Sequence, residues 1–565
     1  MRNIILIHCT SSGKNFVEDI INRGYTPIIL ELQTSDTEEA EIYNSHIHEE
    51  YKEIPYDFDM IYEQDSYEET IEIVRKYDPL LVLPASEKGV ILATRLSHDL
   101  GLLGNPIENL DAMTLKYKMH ERLAEHGLRS IKGKVIHSVE DALNYYDSEG
   151  LKEVVLKPNY SSGSTNVRFC LNRQELADTS KLLFEGVNRF GDKIKDVLIQ
   201  ERINGKEYIV NTVSHKGIPR VTSIWKYNKA ETYEGAIVYE NAVTVNELDL
   251  GEAELVEYAY DVVKAIGIQY GPVHGEYMID ENGPILIEVN CRPMGANMPA
   301  DFLDRISGQH ETDSILDSYL KPERFFEELK KEYKLYSYGD IKSFIVPKDT
   351  IAHSSPIIRI IPNLDSYHST TLSNTNTDDE LFPKTQDVST IGGLVFLVND
   401  ELPELEKDLN FLRSVERNAF SLILSEDSTD LKLKDDETYL NDVLPLIETA
   451  EKYATCLFVT DQFIDDINML QIGADQIDDV GGKFDFIIVN LNKSLIDKNE
   501  DEKVKILLDI FSRLKTGGYI VIPKNNYEFS SSGREGIEAL LKVLKYKIVL
   551  PPHNIKDVVI ASKVK

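Results

Sequence analysis

Short apolar runs alternate with amphipathic stretches along the first hundred residues. Asn3–Ile7, Thr26–Leu32 and Leu80–Leu83 read as buried strands; Lys14–Arg23, Ser66–Tyr77 and Glu87–Leu100 read as helices, the first closed by Gly24. This alternation predicts a parallel sheet with helices on both faces. Thr10-Ser11-Ser12-Gly13 follows the first strand without GxGxxG spacing, so the turn does not mark a dinucleotide site. Glu87 lies just past a strand's carboxyl end, where such sheets place ligand contacts. The same place suits an acid favoured by the dipole of the following helix, and the pattern leaves both readings open.

Met113, Lys116, Met119, Leu123 and a closing Gly127 follow helical spacing, predicting one helix over Asp111–Gly127. Lys116 then stands one turn before Met119, close to the apolar stripe, where a lysine also simply snorkels. Val154–Pro158 is a strand that ends on Lys157, and Asn159–Asn166 follows as small and polar residues around Gly163. Such a loop lays backbone N–H groups and hydroxyls over phosphates, with a lysine as point charge; alone it is an ordinary flexible turn. Val197–Asn211 reads as a strand, a turn at Asn204-Gly205, and a second strand.

The stretch Gly271–Gly295 holds the densest chemistry. Two apolar runs flank Glu281-Asn282-Gly283, a hairpin signal. A three-residue loop with Gly283 left-handed pairs Asp280 with Pro284 and sets Glu276 opposite Glu288. A two-residue loop slips the register and separates the two acids onto opposite faces. We adopt the former. It places His274, Glu276 and Met278 on one face, with Leu286, Glu288 and Asn290 beside them. Two carboxylates directly across a ladder repel unless a cation lies between them. Asn290 adds a neutral oxygen, making a donor set that suits Mg²⁺ shared with phosphates and not zinc. Arg292 can fork onto a phosphate or acyl-phosphate oxygen. The run Pro284–Ile287 leads straight into these acids, and acids ending a buried strand call for a compensating charge.

Composition narrows the setting. At 565 residues the chain is long enough for three or four domains of roughly 150 residues. Acids outnumber bases 96 to 61, a net charge of −35, which repels nucleic acid and anionic membrane. Cys9, Cys170, Cys291 and Cys456 are widely spaced without a CxxC, as free thiols of a reducing compartment are. The start carries no signal-like apolar run and no segment reaches the ~20 apolar residues of a membrane span, so a cytoplasmic protein is expected.

In order along the chain stand Lys116 in KxxMxxxLxxxG, Lys157 in LKP before a Ser/Gly loop, Glu201 and Glu207 in QERINGKEY, and Glu276, Glu288, Asn290 and Arg292 in GEYMID…IEVNCRP. This series resembles the ATP-grasp superfamily of carboxylate–amine ligases, over about residues 1–425. Lys384–Arg413 is also similar to the carboxy-terminal lobe of the L-amino-acid ligase branch. The resemblance implies an α/β architecture: an N-terminal Rossmann-like pre-ATP-grasp domain (1–110), a two-lobed ATP-grasp fold (111–425, lid lobe about 117–212), and a C-terminal Rossmann-like α/β domain (426–565). It implies that Lys116 and Lys157 hold ATP phosphates under a lid of Ser161, Ser162, Gly163, Ser164 and Thr165. Glu201 would face the adenine amino group beside the Ile203 backbone, and Glu207 the ribose. Glu276, Glu288 and Asn290 would bind Mg²⁺, with Mn²⁺ as an alternative, and Arg292 the reacting phosphate. Arg292–Pro299 would border the acyl-acceptor pocket. The implied substrates are a small carboxylate and an amine, joined through an acyl phosphate with release of ADP and phosphate; a homodimer is compatible with the family. Cys291 departs from the proline or small residue of many relatives.

From about residue 426 the α/β pattern returns, with helices at Glu437–Lys452, Lys503–Leu514 and Arg534–Leu544 and strands at Thr455–Thr460, Phe484–Leu491 and Gly517–Ile522. FDFIIVNL and FSRLKTGGYIVIP are similar to the second half of a class I methyltransferase. The glycine-rich turn for the methyl donor is missing after Phe420–Glu426 and after Val459–Phe463. A degenerate interaction module is expected here; the alternatives are a methyltransferase-fused tailoring enzyme and a non-catalytic ATP-binding module.

Overall fold

The computed structural model describes residues 2–33, 47–159, 167–187, 193–231, 237–346, 350–351, 361–372, 381–382, 384–386, 390–419, 456–460, 470–472, 483–490, 500–523, 546–549 and 558–563. The chain divides into two compact units. One comprises residues 1–230, 237–341 and 387–389, the other 231–236, 342–386 and 390–565.

The first unit begins with the expected parallel sheet, in the order Asp59–Tyr62, Thr26–Glu31, Asn3–Ile7, Pro79–Pro84. The three strands read from the sequence are apolar on both faces; the fourth, Asp59–Tyr62 at the edge, was not expected and buries only Ile61. Ile5, Ile7, Ile28 and Leu30 pack under Val74 and Leu96, while Ile4, Leu6 and Ile29 pack under Phe16 and Ile20. Burial on two sides is what a βαβ crossover requires. The first helix is shorter than expected, Asn15–Asn22, because Ser11–Lys14 forms a 3₁₀ turn. The last starts at Gly89 rather than Glu87, and a Cβ at Gly89 would lie 2.5 Å from the Ile7 carbonyl oxygen.

The single helix expected over Asp111–Gly127 is two. Leu110–Thr114 and Lys116–Glu125 are separated by Leu115, whose backbone is extended (φ −103, ψ 114). Lys116 thereby becomes the first residue of a new helix. Val197–Glu201 and Lys206–His215 also do not form a hairpin. The former joins a four-stranded antiparallel sheet with Gly133–Ile136, Val154–Pro158 and Arg168–Cys170; the latter joins a separate, larger sheet. Asn204-Gly205 is the passage between them, and a Cβ at Gly205 would lie 2.5 Å from the Ile279 carbonyl oxygen.

Within the first unit the larger sheet runs Gly283–Asn290, Tyr270–Asp280, Lys206–His215, Ile218–Glu231, Ile237–Thr244, Tyr338–Ser343. Helix Leu250–Ile266 covers one face of it. An Asp249/Glu252 capping box starts that helix and left-handed Gly267 (φ 84) ends it. Leu255, Ala259, Val262 and Val263 share a core with Val273, Tyr277, Leu286 and Val289 of the hairpin. The hairpin residues that alternate with these are left for the opposite face.

In the second unit Tyr367–Leu372 pairs antiparallel with Gly393–Asn399, followed by helix Leu402–Ala419. A six-stranded sheet follows in the order Leu470–Ile472, Cys456–Thr460, Phe484–Asn490, Leu514–Pro523, Val558–Lys563, Tyr546–Val549. The first four are parallel and Val558–Lys563 runs against both its neighbours. Helix Glu500–Ser512 precedes the fourth strand. The expected helices Glu437–Lys452 and Arg534–Leu544, and the turns after 425 and 461, lie outside the described residues. Among the described residues no helix is long and apolar enough to cross a membrane.

Candidate functional site

The hairpin brings Glu276 directly opposite Glu288 and His274 opposite Asn290. The route to that pairing differs from expectation. Asp280 pairs with Gly283, not Pro284, so the loop holds two residues, Glu281 and Asn282. A bulge then leaves Ile287 without a partner, between the Tyr277–Leu286 and Glu276–Glu288 pairs. The extra residue returns both acids to one face. Leu286 does not join them: it pairs with Tyr277 and is fully buried in the core on the other side.

Cations converge on this pair. Lys116 Nζ lies 2.8 Å from Glu288 Oε2, a contact that the break at Leu115 makes available. Lys157 is buried at the end of its strand; burial pushes its ammonium down to about 8, against the attraction of Glu288. Burial would raise the Glu288 carboxyl, but Lys116 and Lys157 hold it low. Glu276, buried and facing Glu288, is pushed up. The two acids thus have unequal proton affinities, as a close carboxylate pair must. Asn290 Nδ2 is 3.5 Å from Glu288 Oε1. Among the described residues no group of three or more His, Cys, Asp and Glu side chains forms a metal cage. Two carboxylates and one amide oxygen suit a hard divalent cation that takes its remaining ligands from phosphate and water.

Three further residues surround Glu276 and Arg292. Asn211 donates through its amide to Ser223 Oγ (2.9 Å), so its oxygen accepts from His274 Nδ1 (2.8 Å). Burial keeps His274 neutral, well below its ordinary value, and its Nε2 lies 3.4 Å from Glu276 Oε1. Arg292 Nε is 3.5 Å from Glu87 Oε2, and its Nη1 donates to the Pro293 carbonyl at 3.0 Å. Of the two readings open for Glu87, the geometry adds a third: it braces the arginine. No motif announces Asn211, whose place emerges only from the pairing of its strand with Tyr270–Asp280.

Glu207 pairs across the ladder with Met278, one strand from Glu276. Burial raises its carboxyl, and Lys229 and Tyr239 satisfy it, the tyrosine at 2.7 Å. Both partners come from strands whose sequence carried no signal. Glu201 lies at the end of its own sheet, where Oε1 accepts from the Lys132 N–H at 3.0 Å, and Ile203 follows half-buried in the passage between sheets. Ser161, Ser162, Gly163, Ser164 and Thr165 lie outside the described residues. The structure therefore gathers Lys116, Lys157, Glu276, Glu288, Asn290 and Arg292 around one face, with Glu207 adjoining and Glu201 on the separate sheet.

The stretch after Arg292 is held by the first sheet. Ser12 Oγ donates to the Gly295 carbonyl (2.9 Å) and accepts from the Met298 N–H (2.8 Å). Ser11 Oγ accepts from the Asn297 N–H (2.9 Å), and Asn15 Nδ2 donates to the Met298 carbonyl (2.8 Å). Ala296 and Asn297 are both left-handed (φ 72 and 51), a conformation that alanine adopts only when its surroundings impose it.

Comparison with known proteins follows these features. Residues 151–301 match the family described as the ATP-grasp domain. Dapdiamide A synthase of Enterobacter agglomerans is 25% identical over 427 residues, 75% of this chain and 98% of that protein. The carbamoyl phosphate synthase large chain of Clostridium botulinum is 25% identical over 265 residues, and the match spans only 23% of its length. Among solved structures, an L-amino acid ligase from Bacillus licheniformis superposes with a TM-score of 0.57 at 18% identity, covering 74% of this chain and 97% of that one. Carboxyaminoimidazole ribonucleotide synthase from Aspergillus clavatus, complexed with ATP, gives 0.53 at 11% identity, covering 74% and 99%. At such identities the structural likeness speaks for the fold.

Proposed function

We propose that this chain, which carries an ATP-grasp domain, is an ATP-dependent ligase that joins a carboxylate, an amino acid in particular, to an amine. The observation that carries this reading is the Glu276–Glu288 pair, brought opposite by a bulge and ringed by Lys116, Lys157 and Arg292. The named activity of dapdiamide A synthase, a protein matched over nearly its full length, supports an amide product.

A carboxylate is a weak electrophile at neutral pH. Its oxygen attacks the γ-phosphorus of ATP, the bond to the bridging oxygen breaks, and ADP leaves with the electron pair. The amine then adds to the acyl carbon of the acyl phosphate, and phosphate departs as the amide forms and the amine loses its proton. Neither step needs a protein nucleophile, so catalysis is positioning and charge neutralisation. Glu276, Glu288 and Asn290 would hold a divalent cation, Mg²⁺ or Mn²⁺, which would supply charge neutralisation at the phosphates. Lys157 and Lys116 bind phosphate oxygens. Arg292, braced by Glu87, faces the oxygens of the transferring phosphoryl group. Glu201 and Ile203 take the adenine and Glu207 the ribose, with residues 161–165 closing over the phosphates.

Incubation with ATP, Mg²⁺ and paired amino acids should accumulate ADP and phosphate together with an amide. AMP and pyrophosphate as the main products would replace the acyl phosphate with an acyl adenylate and overturn this mechanism. The sheet after residue 456 contributes none of these groups, and we read it as an interaction module rather than a methyltransferase.

A further inference from the structure

A single hydroxyl joins the hairpin of Glu276 and Glu288 to the chain that leads into the separate four-stranded sheet. Tyr258 stands on helix Leu250–Ile266, and its ring meets Tyr277 edge-on with 6.1 Å between centroids. Its Oη accepts the Leu286 N–H at 3.2 Å and donates to the Arg129 carbonyl. Leu286 lies in the edge strand of its sheet, immediately before the unpaired Ile287. The hydroxyl therefore takes a backbone N–H at the bulge, two residues before Glu288. Burial pushes this phenol up to about 12, so it keeps the proton that the Arg129 carbonyl accepts.

Arg129 returns to the same hairpin through its side chain. Nη1 and Nη2 fork onto Asp280 Oδ1 (2.9 Å) and Oδ2 (2.6 Å), and Nη1 also donates to the Gly283 carbonyl (2.7 Å). Asp280 and Gly283 close the two-residue turn, so one residue grips the hairpin at its tip and, through Tyr258, beside its bulge. Arg129 lies between left-handed Gly127 (φ 71), just past helix Lys116–Glu125, and strand Gly133–Ile136. At the head of that strand the Glu201 N–H donates to the Lys132 carbonyl and the Lys132 N–H to Glu201 Oε1, each at 3.0 Å. Two ladders then lead from Gly133–Ile136 through Val197–Glu201 to Val154–Pro158, which carries Lys157. One path from the bulge to Lys157 thus runs through Tyr258 and Arg129, while the return passage has no side chain at Gly205 to fix it.

We propose that Tyr258 and Arg129 are positioning residues for the nucleotide: they fix the sheet that carries Lys157 against the bulged strand that carries Glu288, at the spacing the phosphates require. This rests on the reading above, and only on its ATP-binding half. Neither residue touches the reacting atoms; both act through backbone. A hydroxyl that satisfies an N–H and a carbonyl together leaves both unpaired when it is removed, so the strand and the linker shift to find new partners. A misplacement of about 1 Å in groups that must align on phosphates costs up to about a hundredfold in rate.

The test uses the full-length protein, with ATP and Mg²⁺ titrated by calorimetry and phosphate release measured alongside. Tyr258→Phe keeps the ring and removes the hydroxyl. It should weaken Mg·ATP binding about tenfold and lower kcat about ten- to a hundredfold. KM for the carboxylate should change little, because the segment after Arg292 is held separately by Ser11, Ser12 and Asn15. Asp280→Asn, which takes one oxygen from the fork on Arg129, should act in the same direction. The double variant should weaken binding by less than the product of the two, since both work through Arg129. Native Mg·ATP affinity in Tyr258→Phe, even with a lowered thermal midpoint, would make the hydroxyl a structural bond only and overturn the assignment, as would losses that multiply in the double variant. Mg·ATP binding by the wild type without an amide from any pair of amino acids would remove the ligase reading, while the affinity series would still decide the roles of Tyr258 and Arg129. Absence of ATP binding by the wild type would overturn both.

Discussion

Glu276 and Glu288 face each other across a hairpin whose turn, by itself, would have set them on opposite sides. The two-residue loop pairs Asp280 with Gly283, and the unpaired Ile287 restores the facing arrangement. The pair is electrostatically unequal in the free protein, since Glu288 forms an ion pair with Lys116 while Glu276 is pushed up by burial and by Glu288.

That inequality predicts opposite effects on stability. Glu276→Gln removes a like charge from directly across the ladder and should stabilise the metal-free protein by up to about 1 kcal/mol. Glu288→Gln removes the 2.8 Å ion-pair partner of buried Lys116 and should destabilise by about 3 kcal/mol. Both should reduce ATP-dependent phosphate release by roughly 10²–10³, as losses of preorganised charge contacts do. Thermal unfolding without Mg²⁺, beside phosphate release with it, checks the pair. Equal shifts in unfolding would show that Lys116 does not distinguish the two acids in solution.

The hairpin also shows what a sequence discloses. The acids at Glu276 and Glu288, the Asn290 and the Arg292 were readable because period-two alternation and a terminal apolar run constrain their faces. The bulge at Ile287 was not, since a bulge is a tertiary solution: Leu286 enters the core shared with Tyr277 and Leu255, and the strand kinks to permit it. Three strands of the first parallel sheet were legible because they are buried on both faces; the edge strand Asp59–Tyr62, which buries only Ile61, was not. The break at Leu115 was hidden because Met113, Met119 and Leu123 keep helical spacing through it. Asn211 and Lys229 left no sequence signal, each meeting a site residue through strands tens of residues away.

Gly205 separates the strand that carries Glu201 from the strand that carries Glu207. Gly205→Ala would push a methyl group to 2.5 Å from the Ile279 carbonyl oxygen, next to the hairpin's turn. A backbone clash cannot relax by a rotamer change, so a loss of about 1–3 kcal/mol is expected. ATP affinity measured by calorimetry should fall with it, because the passage between the two sheets must shift. An alanine variant with native stability and native ATP affinity would show that this passage yields freely.

Ser12 holds a strained segment beside Arg292. Ser12→Ala removes the acceptor of Met298 and the donor to Gly295 together, leaving groups whose loss typically costs about 1–3 kcal/mol. The left-handed Ala296 and Asn297 then lose part of their restraint, with Ser11 and Asn15 left to hold the segment. KM for the carboxylate should rise about tenfold or more, while KM for ATP, whose contacts lie on other strands, should change little. Steady-state kinetics with each substrate varied in turn checks this. Equal rises in both constants would point to general unfolding of the site.

His310 ties the first sheet to the helices that follow the hairpin, and it gives the protein a pH dependence of definite sign. Its Nε2 lies 2.9 Å from Asp19 Oδ2 and its Nδ1 2.8 Å from Asp304 Oδ1. Thr312 donates to Asp19 at 2.7 Å, and Arg23 stands 3.7 Å from Asp19. Burial disfavours the imidazolium, but the two aspartates outweigh burial and raise the group from 6.5 to about 10. A base whose folded value is raised contributes its full stabilisation below the unfolded value and loses it as pH climbs through the folded one. Stability should therefore fall between pH 6.5 and about 10, by on the order of a few kcal/mol from this group. Lysines and tyrosines titrate at the upper end of that window, so the measure is the difference between the wild type and His310→Gln. Urea midpoints of the wild type should exceed those of the variant most at pH 6.5, and the gap should close toward pH 10. A gap that stayed constant across the window would mean that the imidazole is neutral in the folded protein and acts only as a hydrogen-bond bridge.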